Sequence, residues 1–224
     1  MRVTMLGVEL DPITTHNALQ TMHGWLQEGI TALPRVVLTP NPEMLVYAQR
    51  HPEFKTILNS GDLNLPDGIG LKLCSGGALP ERVTGTDIVQ QLVPTTTHIG
   101  CVITATGLST RADVLRVLPQ AEVITEAEQF SQPHALVLVG LGSPDQEHWI
   151  QKHRATLPGC RVVMAVGGSI DHLTGKQVRA PLLFRRLGLE WLWRLVLQPQ
   201  RWRRILTATV VFPWLLLTQN RFHD

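Results

Sequence analysis

The sequence predicts an α/β fold that is Rossmann-like. We expect a mainly parallel sheet with helices on both faces, plus a basic amphipathic helical appendage at the C-terminus. Continuous apolar, β-branched runs alternate along the chain with segments that begin at helix-capping residues. Strands that are apolar throughout are typical of parallel sheets buried on both faces. After about residue 175 the composition becomes basic and rich in Trp and Leu.

The elements of the first half are predicted from caps and prolines. Asp11-Pro12, Asn41-Pro42 and His51-Pro52 each place a capping or breaking residue before a proline, which is typical of helix starts. A short strand is expected at 35–40, and a strand followed by a loop at 63–70.

The second half continues the alternation. Thr86 and Asp87 are expected at a helix start, Ser109 is expected to cap another helix, and Pro144 is expected to begin a third. Buried strands that end in glycine loops are predicted at 98–107, 135–142 and 161–168.

Polar residues follow the predicted strands, where ligands bind in open parallel sheets. These residues are Thr39, Asn41, Asp67, Thr106, Ser143, Gln146, Ser169 and Asp171. The sequence therefore predicts one ligand site at the carboxyl edge of the sheet.

Length and composition favour one globular core with a tail. The composition change near Arg179 predicts a core over 1–178 and an appendage over 179–224. The three cysteines are widely spaced without a C-x-x-C pair, so neither a disulfide framework nor a zinc site is indicated, and inert buried thiols are expected. The N-terminal segment has no long apolar stretch or cleavage site, so we expect a cytoplasmic protein.

The tail is both cationic and apolar. From Lys176 to Asp224 there are nine Lys or Arg and two acids, and four of the six tryptophans, whereas the whole chain has a formal net charge of +2. Such a segment is suited to an anionic bilayer surface. Its most apolar stretch, Ile205–Leu217, is shorter than the roughly 20 residues of a membrane span, so we expect it to lie on the membrane. The alternative is a helix pair packed on the edge of the sheet.

Asp67 is the candidate catalytic residue. It stands in the glycine-rich segment LPDGIGL (65–71), where the backbone can approach a ligand closely. A partly desolvated carboxylate could act there as a general base. The alternative is an ordinary Asp-Gly turn.

Other polar residues are candidates for ligand binding, each with a plainer alternative. Arg82 could bind a diphosphate or a surface acid. Thr39 and Asn41 could bind a sugar, although Asn41 could simply cap a helix. The loop before Gln146 could present backbone N–H groups to a phosphate, or be an ordinary strand–helix turn.

No cofactor or metal is expected. The nine histidines show no metal-ligand spacing, and no D-x-D pair is present. Nucleic acid is not an expected partner, because no recognition module is visible in the basic tail.

Six segments, in order, resemble the WecG/TagA/CpsF glycosyltransferase family. They are LTPNPEMLVYA (38–48), LPDGIGL (65–71), LPERVTGTDIV (79–89), LVGLGSPDQEHWI (139–150), AVGGSIDHLTGKQVRAP (165–181) and GLEWLWRLVLQPQRWRR (188–204). Family members usually carry a longer stretch than 105–135, with a Gly-Tyr-Phe element that is absent here, so the wall beside the nucleotide is expected to differ.

The resemblance implies an inverting, metal-independent transferase at the inner face of the cell membrane. It would move N-acetylmannosamine, or a related sugar, from a UDP-sugar to undecaprenyl-diphosphate-linked N-acetylglucosamine in cell-surface polysaccharide synthesis, such as that of teichoic acid. UDP-glucose as donor, a nonenzymatic nucleotide-sugar binding protein and a homo-oligomer remain open.

The resemblance also implies roles for single residues. Asp67 corresponds to the proposed base. The substrate-binding positions are Thr39, Asn41, Arg82, Asp87, Gln146, Arg194, Arg201 and Arg204.

Overall fold

The computed structural model describes residues 1–157 and 159–219, without the side chains of Arg186 and Gln219. Arg221 and Asp224, which contribute to the predicted charge of the tail, lie outside this range, as does the end of the predicted appendage. The described chain forms a three-layer α/β fold, which confirms the predicted fold class.

The strands and helices follow one another along the whole described chain. The strands are β1 (Val3–Met5), β2 (Val8–Leu10), β3 (Arg35–Leu38), β4 (Leu63–Asn64), β5 (Ile99–Ile103), β6 (Glu122–Thr125), β7 (Leu136–Gly140) and β8 (Val162–Ala165). The α-helices are α1 (Thr15–Gln27), α2 (Pro42–Ala48), α3 (Pro52–Asn59), α4 (Ile69–Cys74), α5 (Gly85–Leu92), α6 (Arg111–Val117), α7 (Asp145–His153), α8 (Ser169–Leu173), α9 (Leu182–Arg186), α10 (Glu190–Leu197), α11 (Trp202–Leu206) and α12 (Phe212–Gln219). Short 3-10 turns span Val93–Thr95, Arg154–Thr156 and Pro199–Arg201, and a π-helical segment, Thr207–Val211, joins α11 to α12.

The main sheet has six strands in the order β4-β3-β8-β7-β5-β6, and every pairing in it is parallel. Strands β3 and β8 are neighbours, with Val36 opposite Val163. All the strands therefore end at one edge, which gathers the loops that follow them.

Alternating side chains of each strand fill two separate cores. On β3, Val36 and Leu38 face the core shared with α2, α3 and α7, whereas Val37 faces the core shared with α1, α5, α6 and α8. The same alternation holds on β7, where Val137 and Leu138 belong to opposite cores. Both faces are buried, which explains why these strands are apolar throughout.

The start of the first helix differs from the prediction. Helix α1 is capped by Thr14, and Asp11 lies outside it. The Asp11 carboxylate instead accepts hydrogen bonds from Arg2 Nε at 3.0 Å and from the backbone N–H of Asn64 at 2.7 Å. Asp11 therefore caps no helix, and its side chain connects the β1–β2 hairpin to β4. The sequence did not predict this hairpin, which turns through Leu6 and Gly7 at positive φ.

One prediction in the second half is wrong, and one strand there was not predicted. Helix α6 is capped by Thr110, in a reciprocal box with Asp113, and Ser109 does not cap it. The Ser109 hydroxyl donates to Asp171 at 2.6 Å, an interaction with α8 that local sequence cannot reveal. The short edge strand β6 was also missed. The predicted caps Asn41 and His51 do precede α2 and α3.

The C-terminal part packs against the core from Arg179 onward. Arg179 pairs with Asp87 of α5 at 2.7 Å, and Phe212 is fully buried in the core beside α2. Burial of a side chain of this size contributes about 1.5–3 kcal/mol. Other apolar residues on the same helices, including Trp214 and Leu217, are exposed. The division into core and appendage at residue 178 remains a prediction. Among residues 1–157 and 159–219, no helix has the length and apolarity needed to cross a membrane.

Candidate functional site

Asn41 stands where β3 ends and α2 begins. Its side chain accepts a hydrogen bond from the backbone N–H of Met44 at 3.1 Å, and Pro42 supplies the first helical residue. This confirms the prediction that Asn41 caps α2. Asn41 also lines a cavity of about 420 Å³, so capping leaves it in contact with a space where a ligand could bind.

Asp67 lies in the loop between β4 and α4, opposite the start of α2. Its backbone N–H donates to the Pro40 carbonyl at 2.9 Å, which fixes the loop beside β3. Gly68 follows with φ of +139°, and a Cβ atom there would lie 2.8 Å from Pro42 Cδ. Only glycine permits this close approach. The loop thus directs the Asp67 side chain into the cavity.

The Asp67 carboxyl is partly accessible from the cavity and enclosed by protein elsewhere. Burial raises the pKa of Asp67 to about 6, although Arg194 and Arg82 act in the opposite direction. Glu190 raises this pKa further, and the N–H of Gly85, 3.5 Å from Oδ2, lowers it slightly. A carboxyl group with this pKa is ionised at neutral pH and remains a useful proton acceptor.

Glu190 links two arginines from different parts of the fold. Its carboxylate lies 3.3 Å from Arg82, which precedes α5, and 3.0 Å from Arg194, one turn along α10. Burial would raise the pKa of Glu190, but Arg194 and Arg82 outweigh it, so this pKa lies below its usual value. The buried carboxylate is therefore ionised and holds both guanidinium groups beside Asp67.

Two further arginines enter the cavity from the start of the last helical run, which consists of Pro199–Arg201, α11, Thr207–Val211 and α12. Arg204 pairs with Glu43 of α2 at 2.5 Å. Arg201 donates to Gln198 at 3.1 Å and forms no ion pair within the described residues. Burial lowers the pKa of Arg201, and the charges of Arg204 and Arg194 lower this pKa further.

Together these elements enclose a cavity of about 420 Å³, called the main cavity here. Its charged and polar lining residues are Asn41, Glu43, Asp67, Arg82, Thr84, Thr86, Glu190, Arg194, Arg201, Arg204 and Thr209. Its remaining lining residues are Pro42, Gly68, Ile69, Gly70, Leu73, Cys74, Gly188, Trp191, Ile205, Ala208 and Pro213. The structure thus brings together six of the nine predicted site residues, namely Asn41, Asp67, Arg82, Arg194, Arg201 and Arg204.

The other three predicted residues lie outside the main cavity. Thr39 is buried, and its hydroxyl donates to the Ala165 carbonyl at 3.3 Å. Asp87 accepts from Thr84 at 2.6 Å and pairs with Arg179.

Gln146 is also buried away from the main cavity. It accepts from the backbone N–H of Gly167 at 2.8 Å and donates to Glu147 at 2.7 Å. In this structure Thr39, Asp87 and Gln146 support the loops around the site, and their proposed contacts with substrate remain predictions.

Sequence reasoning missed several residues of the main cavity, and Glu190 is the most important. One signal was available, because Glu190 and Arg194 stand four residues apart, a spacing at which helical residues are neighbours. Glu43, which pairs with Arg204, gave no such signal, since its partner lies 161 positions away.

A second, shallower cavity of about 310 Å³ lies at the ends of β5, β6 and β7. It is lined by Thr104, Glu126, Leu141, Asp145, His148, Trp149, Lys152 and His153. The compact segment 105–135 contributes Glu126 here and supplies none of the residues that line the main cavity. Within the described part of the chain, no cluster of three or more His, Cys, Asp or Glu could hold a metal ion.

Comparison with known proteins identifies related sequences. The family model described as "Glycosyl transferase WecG/TagA/CpsF family" matches residues 3–112 and 118–224. A Bacillus spizizenii protein is 32% identical over 192 residues, covering 76% of this chain and 74% of the relative. A Bacillus subtilis relative is 30% identical, covering 77% and 75%, and a Staphylococcus aureus relative is 26% identical, covering 91% and 87%. All three are named N-acetylglucosaminyldiphosphoundecaprenol N-acetyl-beta-D-mannosaminyltransferase.

The raised pKa of Asp67 predicts how Asp67→Asn changes stability with pH. The pKa rises from 3.8 to about 6 on folding, so this group favours the folded state below pH 3.8 and loses that contribution as pH rises through 6. Asp67→Asn should therefore be more stable than wild type at pH 8, with an advantage that shrinks toward pH 4.5. Denaturant unfolding at several pH values measures this.

The exposed Asp145 offers a matched control for that measurement. Because Asp67 is partly buried and Asp145 is exposed, the stability difference for Asp145→Asn should vary less with pH than that for Asp67→Asn. A stability difference for Asp67→Asn that is constant with pH would contradict the assigned pKa.

Proposed function

The chain belongs to the WecG/TagA/CpsF glycosyltransferase family, as its sequence predicted, and on this premise we propose that it transfers N-acetylmannosamine from a UDP-linked donor to N-acetylglucosaminyl-diphospho-undecaprenol. The relatives' names support this sugar and this acceptor. The observation that carries the proposal is the partly buried Asp67 carboxylate, which shares one cavity with Arg82, Arg194, Arg201 and Arg204.

In the proposed reaction Asp67 is the general base. Its ionised carboxylate takes the proton from the acceptor hydroxyl as that oxygen attacks the anomeric carbon of the donor sugar. The new glycosidic bond forms on the face opposite the leaving UDP, whose bond to carbon breaks, so the configuration inverts. UDP departs with the electron pair of the broken bond, and the proton remains on Asp67 until it passes to solvent.

The arginines would stabilise the two diphosphate groups. Arg82 and Arg194 already share Glu190, and Arg204 pairs with Glu43. Arg201 has no acidic partner within ion-pair distance among the described residues, which favours it as the first contact for a phosphate. A charge-assisted hydrogen bond of this kind is worth about 1.5–3 kcal/mol.

We also place the protein on the inner face of the cell membrane. The acceptor named for the relatives is a lipid, and the last helices expose several large apolar residues beside the main cavity. These residues are Val196, Leu197, Trp202, Leu206, Val210, Trp214 and Leu217. Apolar burial contributes about 25 cal/mol per Å², and nearby basic residues add on the order of 1 kcal/mol each at an anionic surface.

A donor screen tests the proposed reaction. Purified protein is incubated with a lipid-diphosphate-linked N-acetylglucosamine and with UDP-N-acetylmannosamine or UDP-glucose, and the product is identified by mass spectrometry. We expect transfer of N-acetylmannosamine. Transfer of glucose alone would replace the proposed donor, and an unchanged anomeric configuration in the product would exclude inversion.

Asp67→Asn should lower turnover by about 10²–10⁴-fold, the usual contribution of a general base, and leave donor binding largely intact. Wild-type kcat/KM should fall as pH drops below about 6, because Asp67 becomes protonated. Asp145→Asn, which changes an exposed carboxylate on α7, serves as the control and should keep normal turnover. Near-normal turnover of Asp67→Asn would refute its role as the base.

Glu190→Gln tests whether Glu190 positions the arginines. If it does, Arg82 and Arg194 should separate in the variant, turnover should fall at least tenfold, and the pKa of Asp67 should rise because it loses its two strongest cationic neighbours. The acid limb of the pH–rate profile would then move to higher pH. A carboxylate that acted only as a nearby negative charge would give the opposite shift, since its removal lowers the pKa of Asp67. Glu190→Asp keeps the charge and should retain part of the activity.

Vesicle flotation tests the membrane location. We expect wild-type protein to bind anionic vesicles, less strongly as salt concentration rises. Changing Trp202, Trp214 and Leu217 together to serine should abolish most binding. The matched control changes Ile30, Leu33 and Leu108, which are exposed elsewhere on the surface, and should bind normally. Equal binding by the two variants would refute this docking surface.

A further inference from the structure

The main cavity changes character along one face of the last helical run. Arg201 and Arg204 line its first part, and Ile205, Ala208 and Pro213 line the part that follows. At about 1.5 Å per residue, positions 201 to 213 span roughly 18 Å. A single wall therefore passes from cationic to apolar over a distance longer than a diphosphate.

The opposite wall shows the same change. It begins at Asp67 and continues through α4, where Ile69, Leu73 and Cys74 line the cavity. The two walls lie close together at Gly70, where a Cβ atom would be 3.6 Å from the backbone oxygen of Ala208. Beyond that contact, Leu73 is 72% exposed, so the uncharged part of the cavity opens to the outside.

We propose that this uncharged part, here called the apolar arm and formed by Ile69, Leu73, Cys74, Ile205, Ala208 and Pro213, binds the first isoprene units of the acceptor lipid. The inference rests on the proposed function and adds a binding site to it. In a polyprenyl diphosphate the anionic group is attached directly to an apolar chain, and the cavity presents cationic and apolar surfaces in that order. A nucleotide-sugar donor has no apolar chain to place there.

The arm also leads toward the surface proposed to dock on the membrane. Leu206 and Val210 on the tail are exposed, and they alternate along the helix with cavity residues Ile205 and Ala208. A lipid chain that leaves the arm would therefore emerge beside apolar surface. The acceptor would then stay partly in the bilayer while its diphosphate reaches Arg201.

Cys74 allows the arm to be tested without changing the fold. The expectation of three buried thiols is wrong for Cys74, which is exposed, whereas Cys101 and Cys160 are buried with pKa values raised to about 12 by that burial. A bulky maleimide should therefore label Cys74 alone. Two acceptors that carry the same N-acetylglucosamine diphosphate are compared in detergent, one with a long polyprenyl chain and one with a short alkyl chain, so that docking on a bilayer does not contribute.

Labelling should lower kcat/KM for the long-chain acceptor at least tenfold and change that for the short-chain acceptor less than twofold. In Cys74→Ser, treatment with the same maleimide should leave kcat/KM for both acceptors at the values of the untreated Cys74→Ser variant. Equal loss with both acceptors, or no loss with either, would overturn the proposal.

A second readout does not depend on turnover. Polyprenyl diphosphate without a sugar should slow the labelling of Cys74, and a short-chain alkyl diphosphate should not. Protection in the absence of any transfer would retain the apolar arm and refute the proposed reaction. Transfer without protection would refute the apolar arm and leave the reaction intact.

Discussion

The ion pairs of Glu190 with Arg82 and Arg194 are the constraint on which the rest of the site depends. Arg82 belongs to the α/β part of the fold, and Arg194 belongs to the C-terminal helices. Without the carboxylate between them, two guanidinium groups would be brought together in a partly buried space. Loss of one partner from a buried pair costs about 3–5 kcal/mol, and the exposure of Arg194 reduces that figure here. The Glu190 carboxylate therefore allows the C-terminal helices to pack on the α/β part of the fold with both arginines in the cavity wall.

The ionisation of Asp67 follows from the same arrangement. Burial in the loop raises its pKa, and the arginines held by Glu190 limit that rise to a value near 6. Without these cations the pKa of Asp67 would be higher, and a smaller fraction of the carboxyl group would be ionised at neutral pH. A fully solvated carboxylate would be ionised but weakly basic. The position of α10 therefore sets the chemistry of a residue that lies more than one hundred positions earlier in the chain.

The sequence predicted the fold class, and six of its nine predicted site residues lie around the main cavity, for physical reasons that can be named. Apolar strands and proline-marked helix starts are local signals, and the carboxyl edge of a parallel sheet concentrates the loops. These rules locate an edge, but they do not fix the direction of each side chain. Thr39 and Asn41 are two positions apart, yet Thr39 bonds to β8 and Asn41 faces the cavity. Gln146 likewise turns toward Gly167, because its buried side-chain amide needs hydrogen-bond partners. The pairing of Glu43 with Arg204 depends on how the tail folds back, which no local pattern specifies.

The two cavities lie at different parts of the sheet edge. Strands β3 and β4 lead into the main cavity, and the chain between β5 and β7 borders only the second one. The compact segment 105–135 is thus separated from Asp67, which follows β4, by the width of β3, β8 and β7. A change in the length of this segment would therefore alter the second cavity and leave the residues that line the main cavity in place. The order of the strands in this way keeps insertions and deletions at one half of the sheet away from the carboxylate and arginines at the other half.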